Sequence, residues 1–580
     1  MSSTNDGSQS NGDVRPASNL NSEAVTAKIG STKSKRQFLQ NVGSGWIAVA
    51  MNALVGVFIL PINLHYLGKE VYGISVLAVS IMGLLHFLNF GLTPTLLRFF
   101  SNVIAEGDRE KLHVLSSTSH FLMNSLGILG SAIFMGLFPW FCSAYQIDPE
   151  LRLPTFILFC GMAISHWEQF FNITYGAILQ SYQRLDLLNL TRSVTVCLRV
   201  VLLLFFYQFV WRSLASLGIV LVLEVTFRLV VLVVSARRLC GSACGFSPEL
   251  VNLSLKKDGL LRGLFSFGAL ALINNVAMGW SIQIPALVIG RELSKSSVAD
   301  FSAALTVANF LNHVLATFVV PLAPLASIDA KHGGKRLGAW SIKIGQAVSC
   351  MGCASILVLC LFGRDWLTVW LGPGFAWTLP IVIVMAGGII LAAVQSTNYN
   401  LALGASTIAP IAWSALVMAI FVSAGTYIGL HYRHFWWRFV ENMELTHLSS
   451  HFIGLFGVAL LVGGIRFVRN VGYIAYSYSK RLGYNYIEYL YLVYVKPMAC
   501  VVVAVAVWKY TFGLIDFEAL HARITELVVQ ERIALIIVAA IKSAIVSVIF
   551  GALCWFAVLP KDIKKSFWDA FHRCVARRKP

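Results

Sequence analysis

Charged side chains at lipid depth are the residues of this sequence that could do chemistry, because a charge in hydrocarbon persists only where it meets a partner, a proton or a ligand. Arg98 closes the second long apolar run beside Pro94, Arg199 lies early in the fifth, Arg228 in the sixth, and Arg291 ends the seventh. A guanidinium stays ionised at any biological pH, and its fork of donors matches phosphate oxygens. Arginines around a water-filled cavity therefore suit an anionic, phosphate-bearing ligand. Arg98 and Arg291 are the first choices for that contact, with Arg199 and Arg228 behind them. Glu224 precedes Arg228 by one helical turn on the same face, the spacing of a structural salt bridge. Glu168, flanked by His166 and Gln169, has two readings: a coupling group that takes up and releases a proton, or a counter-ion for one of the arginines. Lys542, in the last apolar run, has the same two readings.

Amides and hydroxyls form a second pattern. On the eighth run Ser302, Thr306, Asn309 and His313 recur at helical spacing and share a face, with Asn312 and Thr317 at its margin. Ser75, His86, Asn89 and Thr93 do the same on the second run, Asn52, Gly56 and Asn63 on the first, and Asn274 and Ser281 on the seventh, with Asn275 and Gln283 nearby. Such residues also hold helices together in membranes. Their recurrence on runs one, two, seven and eight points to a shared polar cavity, with His86, Asn89, Asn275, Asn309 and His313 as candidate ligand contacts.

The elements that must position these residues are helices in a bilayer. Hydrophobic residues make up 57% of the 580 and charged residues 12%, against about a quarter charged in a soluble domain. Fourteen apolar runs fill residues 43–559, each near the roughly 20 residues a crossing helix needs; the fifth, at 193–210, is among the shortest. An even number of crossings puts both termini on one face. Of 45 Lys and Arg, 31 fall in segments on that face and 11 opposite, with Arg199, Arg228 and Lys542 inside spans. The bias places both ends in the cytoplasm. The formal charge of +18 is then anchoring against anionic headgroups, not a nucleic-acid surface. The opening segment has no signal peptide; it is polar and expected to be disordered. Eleven cysteines are scattered, including Cys350 and Cys353 within one helix, and imply neither a metal site nor a disulfide framework.

The charged stretch I-A-E-G-D-R-E-K-L before His113 stands after the second span as D-A-K-H-G-G-K-R-L before Gly338 stands after the eighth. Y-L-G at Tyr66 to Gly68 and V-I-G at Val288 to Gly290 end corresponding runs. The expected fold is an all-α integral membrane protein of about 14 transmembrane helices, two six-helix lobes in a pseudo-twofold repeat plus two C-terminal helices, an architecture of transporters. The expected divisions are a tail at 1–42, an N-lobe at 43–235, a linker at 236–259, a C-lobe at 260–468 with an insert at 431–450, the last two spans and their preceding loop at 469–559, and a basic tail at 560–580.

Within that topology, G-A-I-L-Q-S-Y-Q-R-L-D-L-L-N at Gly176 to Asn189 resembles the junction of the fourth and fifth helices of Wzx-type polysaccharide flippases. These are oligosaccharide-lipid translocases of the multidrug/oligosaccharidyl-lipid/polysaccharide exporter (MOP) superfamily. F-G-L-T-P-T-L-L-R-F-F-S at Phe90 to Ser101 and F-G-R-D-W-L-T-V-W-L-G-P-G-F at Phe362 to Phe375 resemble two further segments of that family. The resemblance implies a multi-pass protein of the bacterial inner membrane, without a cofactor. Its cargo would be an undecaprenyl-diphosphate-linked oligosaccharide moved to the periplasmic leaflet by alternating access. Membrane lipids and a polysaccharide polymerase complex are the implied partners. Two departures stand out. Pro285 occupies the place of an Asp that many relatives carry, and His431 to His447 form an insert rich in His and Trp that reads as a segment lying on the headgroups.

Three other functions compete. A drug or metabolite cation antiporter of the same superfamily calls for acidic residues concentrated in the first lobe, whereas the spans hold Glu168 and Glu224 against several arginines. A peptidoglycan-precursor lipid flippase fits fold and chemistry equally well. A membrane enzyme calls for a large outer loop or a loop carboxylate, whereas Glu70 is the only acid in the first outer segment; there is also no phosphate-binding G-x-x-x-x-G-K-[ST], so ATP is not expected as the direct energy source.

Overall fold

The computed structural model describes residues 32–85, 92–251, 260–317, 319, 335–404, 409–432, 450–512, 524 and 531–559. His86, Asn89 and residues 433–449 of the insert lie outside them. Among the described residues every regular element is a helix. α1 (Thr32–Leu85) contains the first crossing and the start of the second. The chain reverses at Gly68, whose φ of 76° is open to glycine and strained for other residues. α2 (Leu92–Glu106) continues the second crossing. The crossings from the third onward are α3 (Arg109–Gly136), α4 (Pro149–Ser181), α5 (Leu185–Phe209), α6 (Leu214–Cys240), α7 (Leu260–Glu292), α8 (Lys295–Thr317), α9 (Lys335–Leu371), α10 (Leu379–Gly404), α11 (Ala409–His431), α12 (Ser450–Phe467), α13 (Lys496–Val507) and α14 (Glu531–Ala557).

Twelve helices among the described residues are long and apolar enough to cross a membrane. The 33-residue α4 is not one of them, because His166, Glu168, Gln169 and Asn172 dilute its apolar run. With α4 and the two limbs of α1 taken separately, the fourteen expected crossings are accounted for. Several boundaries differ from expectation, two of them at the N-lobe. α1 begins at Thr32, inside the segment assigned to the tail, and α5 begins at Leu185, eight residues before the expected start. At its N-terminus Asp186 holds Arg184, with two N···O distances of 3.0 and 3.1 Å. Cys240, the last residue of α6, and Cys244 stand one turn apart, with Cα atoms 6.0 Å from each other.

The sequence repeat is repeated in packing. In the first half α4 packs on α3 and α6, α1 on α5, α5 on α6, and α2 on α4. In the second, α10 packs on α9 and α12, α7 on α11, α11 on α12, and α8 on α10. Adding six to each helix number of the first half gives the second, which is the signature of two lobes with one architecture. α13 packs on α14, and both pack on α9. Contacts of α1 with α7 and α8 join the lobes. A continuous core including Ile74, Leu77, Phe134, Phe159 and Tyr207 lies beneath these contacts, whereas Val201, Phe205 and Phe209 on the outside of α5 are exposed, as suits a lipid-facing surface.

Tyr207, 1% exposed, donates its hydroxyl to Asn63 Oδ1 at 2.9 Å and ties α5 to the first limb of α1. Asn63→Leu leaves that phenol without its acceptor and is expected to destabilise the protein by about 0.5–2 kcal/mol. A lower thermal unfolding midpoint in detergent would show this; an unchanged midpoint would mean that the phenol finds another acceptor.

Candidate substrate cavities and the far-face latch

The face of the bundle where α1 begins is here the terminal face, and the opposite one the far face. In the half of the N-lobe nearer the terminal face, α4, α5 and α6 enclose a cavity of about 310 Å³ lined by Gln169, Asn172, Gly176, Gln180, Arg192 and Arg228. The four α4 residues recur at three- and four-residue spacing, so helical periodicity puts them on one face. Asn172 has no partner for either side-chain atom, and Arg228 none for Nε. Glu168 Oε1 accepts from Thr226 Oγ1 at 2.8 Å, while Oε2 has no partner. Glu224, 3% exposed, is held by Arg199 Nε on α5, so the expected pairing with Arg228 along α6 gives way to one between helices. Arg228 sits in the field of Glu224 and Glu168 on one side of the balance and Arg199 and Arg192 on the other.

The corresponding helices of the C-lobe, with α7 and α8, enclose a second cavity of about 320 Å³. Its walls include Asn274, Asn275, Asn309, Asn312 and Gln395, together with Arg466 and Arg469. Arg466 is 4% exposed and has no partner for Nε or Nη2. Arg469 bonds Ser414 Oγ and the Ile411 carbonyl at 3.1 Å each, and Asn470 Oδ1 at 3.3 Å. Among the described residues no carboxylate pairs with either guanidinium. After α12 the backbone widens into a π-helical turn at Val468–Ile474, a local insertion that turns Arg469 and Asn470 inward and that recurs at functional sites. Sequence reasoning missed this pair by counting Arg466 with the flanking basic residues. The repeat held the signal, since T-F-R-L-V around Arg228 on α6 matches G-I-R-F-V around Arg466 on α12.

The expected shared cavity of spans one, two, seven and eight divides in two. Asn63, Ser75 and Ser302 line a far-side cavity of about 230 Å³ with Arg199, whereas Asn275 and Asn309 line the C-lobe cavity. Arg98 is exposed on α2 toward the terminal face, and Arg291 is exposed at the far end of α7, so the two do not converge on one site. His313 is exposed on α8. Lys542 Nζ lies 3.9 Å from Asp365 Oδ2, the arrangement of a counter-ion.

At the far face two lysines lock the halves reciprocally. Lys69, beside the Gly68 turn, reaches into the C-half, with Nζ 2.9 Å from Asp300 Oδ1 and 3.3 Å from the Gly374 carbonyl and stacked over Phe375. Lys295, at the start of α8, reaches into the N-half, 3.1 Å from Glu70, 3.7 Å from Asp148 and 3.3 Å from the Gln146 carbonyl. Tyr145 OH donates to the Leu287 carbonyl at 3.3 Å; burial pushes this phenol up to about 12, so it remains a donor through the physiological range. Gly73 packs against the backbone carbonyl of Lys295 so closely that any Cβ would collide with it.

A two-lobed bundle of fourteen crossings, closed at one face and lined with buried arginines, is a transporter architecture, and its sequence places it more narrowly. Residues 38–327, half of the chain, match the family described as polysaccharide biosynthesis protein. The chain belongs to that family. It is 24% identical over 371 residues to the uncharacterized membrane protein EpsK of Bacillus subtilis (strain 168), spanning 61% of this chain and 69% of that protein. Its fold is similar to that of the lipid II flippase MurJ in an inward closed conformation, with a TM-score of 0.60 at 13% identity over 87% of this chain and 98% of that one. A multidrug resistance MATE family transporter of the MOP superfamily, inward-facing, matches with a TM-score of 0.56 at 12% identity over 74% and 94%. The fold of these solved structures and the family match agree on a helical membrane protein of polysaccharide biosynthesis. In this polysaccharide biosynthesis family member, Gly176, Gln180 and Leu188 of the family-like segment Gly176 to Asn189 form part of the N-lobe cavity wall.

Proposed function

We propose that this protein flips an undecaprenyl-diphosphate-linked oligosaccharide repeat unit from the cytoplasmic to the periplasmic leaflet of the bacterial inner membrane by alternating access. The observation that carries this reading is a pair of repeat-related arginines, Arg228 on α6 and Arg466 on α12. Arg228 has Nε, and Arg466 has Nε and Nη2, without a protein partner at a polar cavity. A buried cation such as Arg466, or a half-buried one such as Arg228, with open donors calls for an anion, and a diphosphate offers oxygens in the matching geometry. The positive-inside bias puts the terminal face in the cytoplasm. On that orientation the lysine latches lie at the periplasmic face, and substrate would enter from the cytoplasmic side. The protein acts as a carrier, with surface polysaccharide synthesis as its setting and a polymerase complex as the consumer of its cargo. Glu168, beside Arg228 and with Oε2 lacking a partner, is the proposed coupling group.

The test is the lipid pool of the host after deletion of the gene, extracted and analysed by mass spectrometry. Accumulation of a complete diphosphate-linked repeat unit with loss of surface polysaccharide supports the reading and names the glycan. An unchanged pool with altered sensitivity to cationic compounds moves the protein to the antiporters. Accumulated peptidoglycan precursor marks the third possibility.

A further inference from the structure

We infer that the C-lobe carries a lateral docking site for the substrate lipid, with isoprenoid tail in a groove between α11 and α12, diphosphate on Arg469 and Arg466, and the first sugar in the amide-lined cavity behind them. This rests on the proposed function and names where the lipid first meets the protein. The groove, of about 650 Å³, is lined by Trp413, Val417 and Phe421 on α11 and Leu460, Gly464 and Val468 on α12. The three α11 residues recur every fourth position and all are exposed, so they form one apolar stripe open to the membrane. From Trp413 to Phe421 the stripe runs roughly 12 Å, from the level of Arg469 toward the middle of the bilayer.

Arg469 belongs to both spaces, closing the groove at its polar end and lining the C-lobe cavity. The order along this path is apolar groove, guanidinium pair, amides, which is the order of tail, diphosphate and sugar in a lipid-linked saccharide. A bulk phospholipid satisfies only the first part. Its headgroup stays at the rim, whereas both guanidinium groups are buried, Arg469 8% and Arg466 4% exposed, with Nε and Nη2 of Arg466 still lacking partners. Two adjacent guanidinium groups without a carboxylate among the described residues supply the complementary charge.

The experiment uses the full-length protein in nanodiscs of phosphatidylethanolamine and phosphatidylglycerol, with undecaprenyl diphosphate as probe and its retention read by native mass spectrometry. Arg466→Ala and Arg469→Ala are each expected to lower retention at least tenfold. Val417→Trp fills the groove without touching either arginine and is expected to do the same, while Val201→Trp on the lipid-facing surface of α5 leaves retention unchanged. If wild type retains the probe and the Arg469 and Val417 variants retain it equally, the docking site is overturned and the proposed function stands. If the same variants shed phosphatidylglycerol to the same degree as the probe, the groove holds bulk lipid only and the inference is overturned. If wild type retains no probe, inference and proposed function fall together.

Discussion

Arg228→Ala is expected to abolish surface polysaccharide export while leaving the protein in the membrane at normal abundance. Two charge-assisted hydrogen bonds from one guanidinium fork to a phosphate are together worth about 3 kcal/mol, roughly a 150-fold loss of anion affinity. The fold has little to lose at this position. Arg228 Nε has no partner, and the nearest carboxylates are engaged elsewhere, Glu224 by Arg199 and Glu168 by Thr226. Truncation leaves Glu224 paired with Arg199 and takes the half-buried positive charge only from beside Glu168, which keeps its Thr226 bond, in contrast to Arg199→Ala, which would orphan Glu224 and lower protein levels. Arg228→Lys keeps the charge and loses the fork, so partial export is the expected result. Normal export by Arg228→Ala at normal abundance would remove this residue from the substrate path. Glu168→Gln separates the two roles of its carboxylate. Weakened export with altered pH dependence fits coupling, and unchanged pH dependence leaves it as a local counter-charge for Arg228.

What could be read in the sequence follows from what hydrocarbon does to a chain. Apolar runs of about 20 residues fix a helical membrane bundle, because lipid leaves only helices and closed barrels to satisfy the backbone and barrel strands are half as long, and the repeated charged loop points to two lobes. Polar residues on one helical face mark a path, and Asn275, Asn309 and Arg228 do line cavities. Periodicity does not say which helix lies across from a stripe. The single expected cavity therefore resolved into separate chambers, with Ser302 and Asn309 of one α8 face opening into different ones. Depth is equally hidden, since Arg98 and Arg291 look alike as span-ending arginines and stand at opposite ends of the bundle. The π-helical turn at Val468–Ile474 leaves no periodic trace, so Arg469 and Asn470 seemed to belong to a basic flank. The latches were out of reach for another reason. Lys69 and Asp300 are 231 residues apart, and only the closure of one lobe on the other brings them together.

Cutting the latches is expected to open the far face. Lys69→Met strands Asp300, which is 4% exposed, and loses a charge-assisted bond worth about 1.5–3 kcal/mol to the closed state. The open fraction rises by roughly 10- to 150-fold. The readout is a Ser75→Cys probe on a cysteine-free background. Position 75 is 5% exposed and lines the far-side cavity beneath the latch, so a membrane-impermeant thiol reagent added from the side of the far face reacts only when the lobes part. Labelling is expected to rise in Lys69→Met, to rise further with Lys295→Met, and to rise in Gly73→Leu, where a side chain meets the Lys295 carbonyl. Export falls in each, because a carrier held open outward no longer collects substrate from inside. The reciprocity of the two lysines makes the test sharper. Each is anchored in one lobe and held by acids of the other, so separation of the lobes breaks both pairs together, and the two single variants are expected to raise labelling in the same direction without adding fully. Labelling that stays at the wild-type level in all three variants would show that apolar packing between α1 and α8, rather than the ion pairs, holds this face closed.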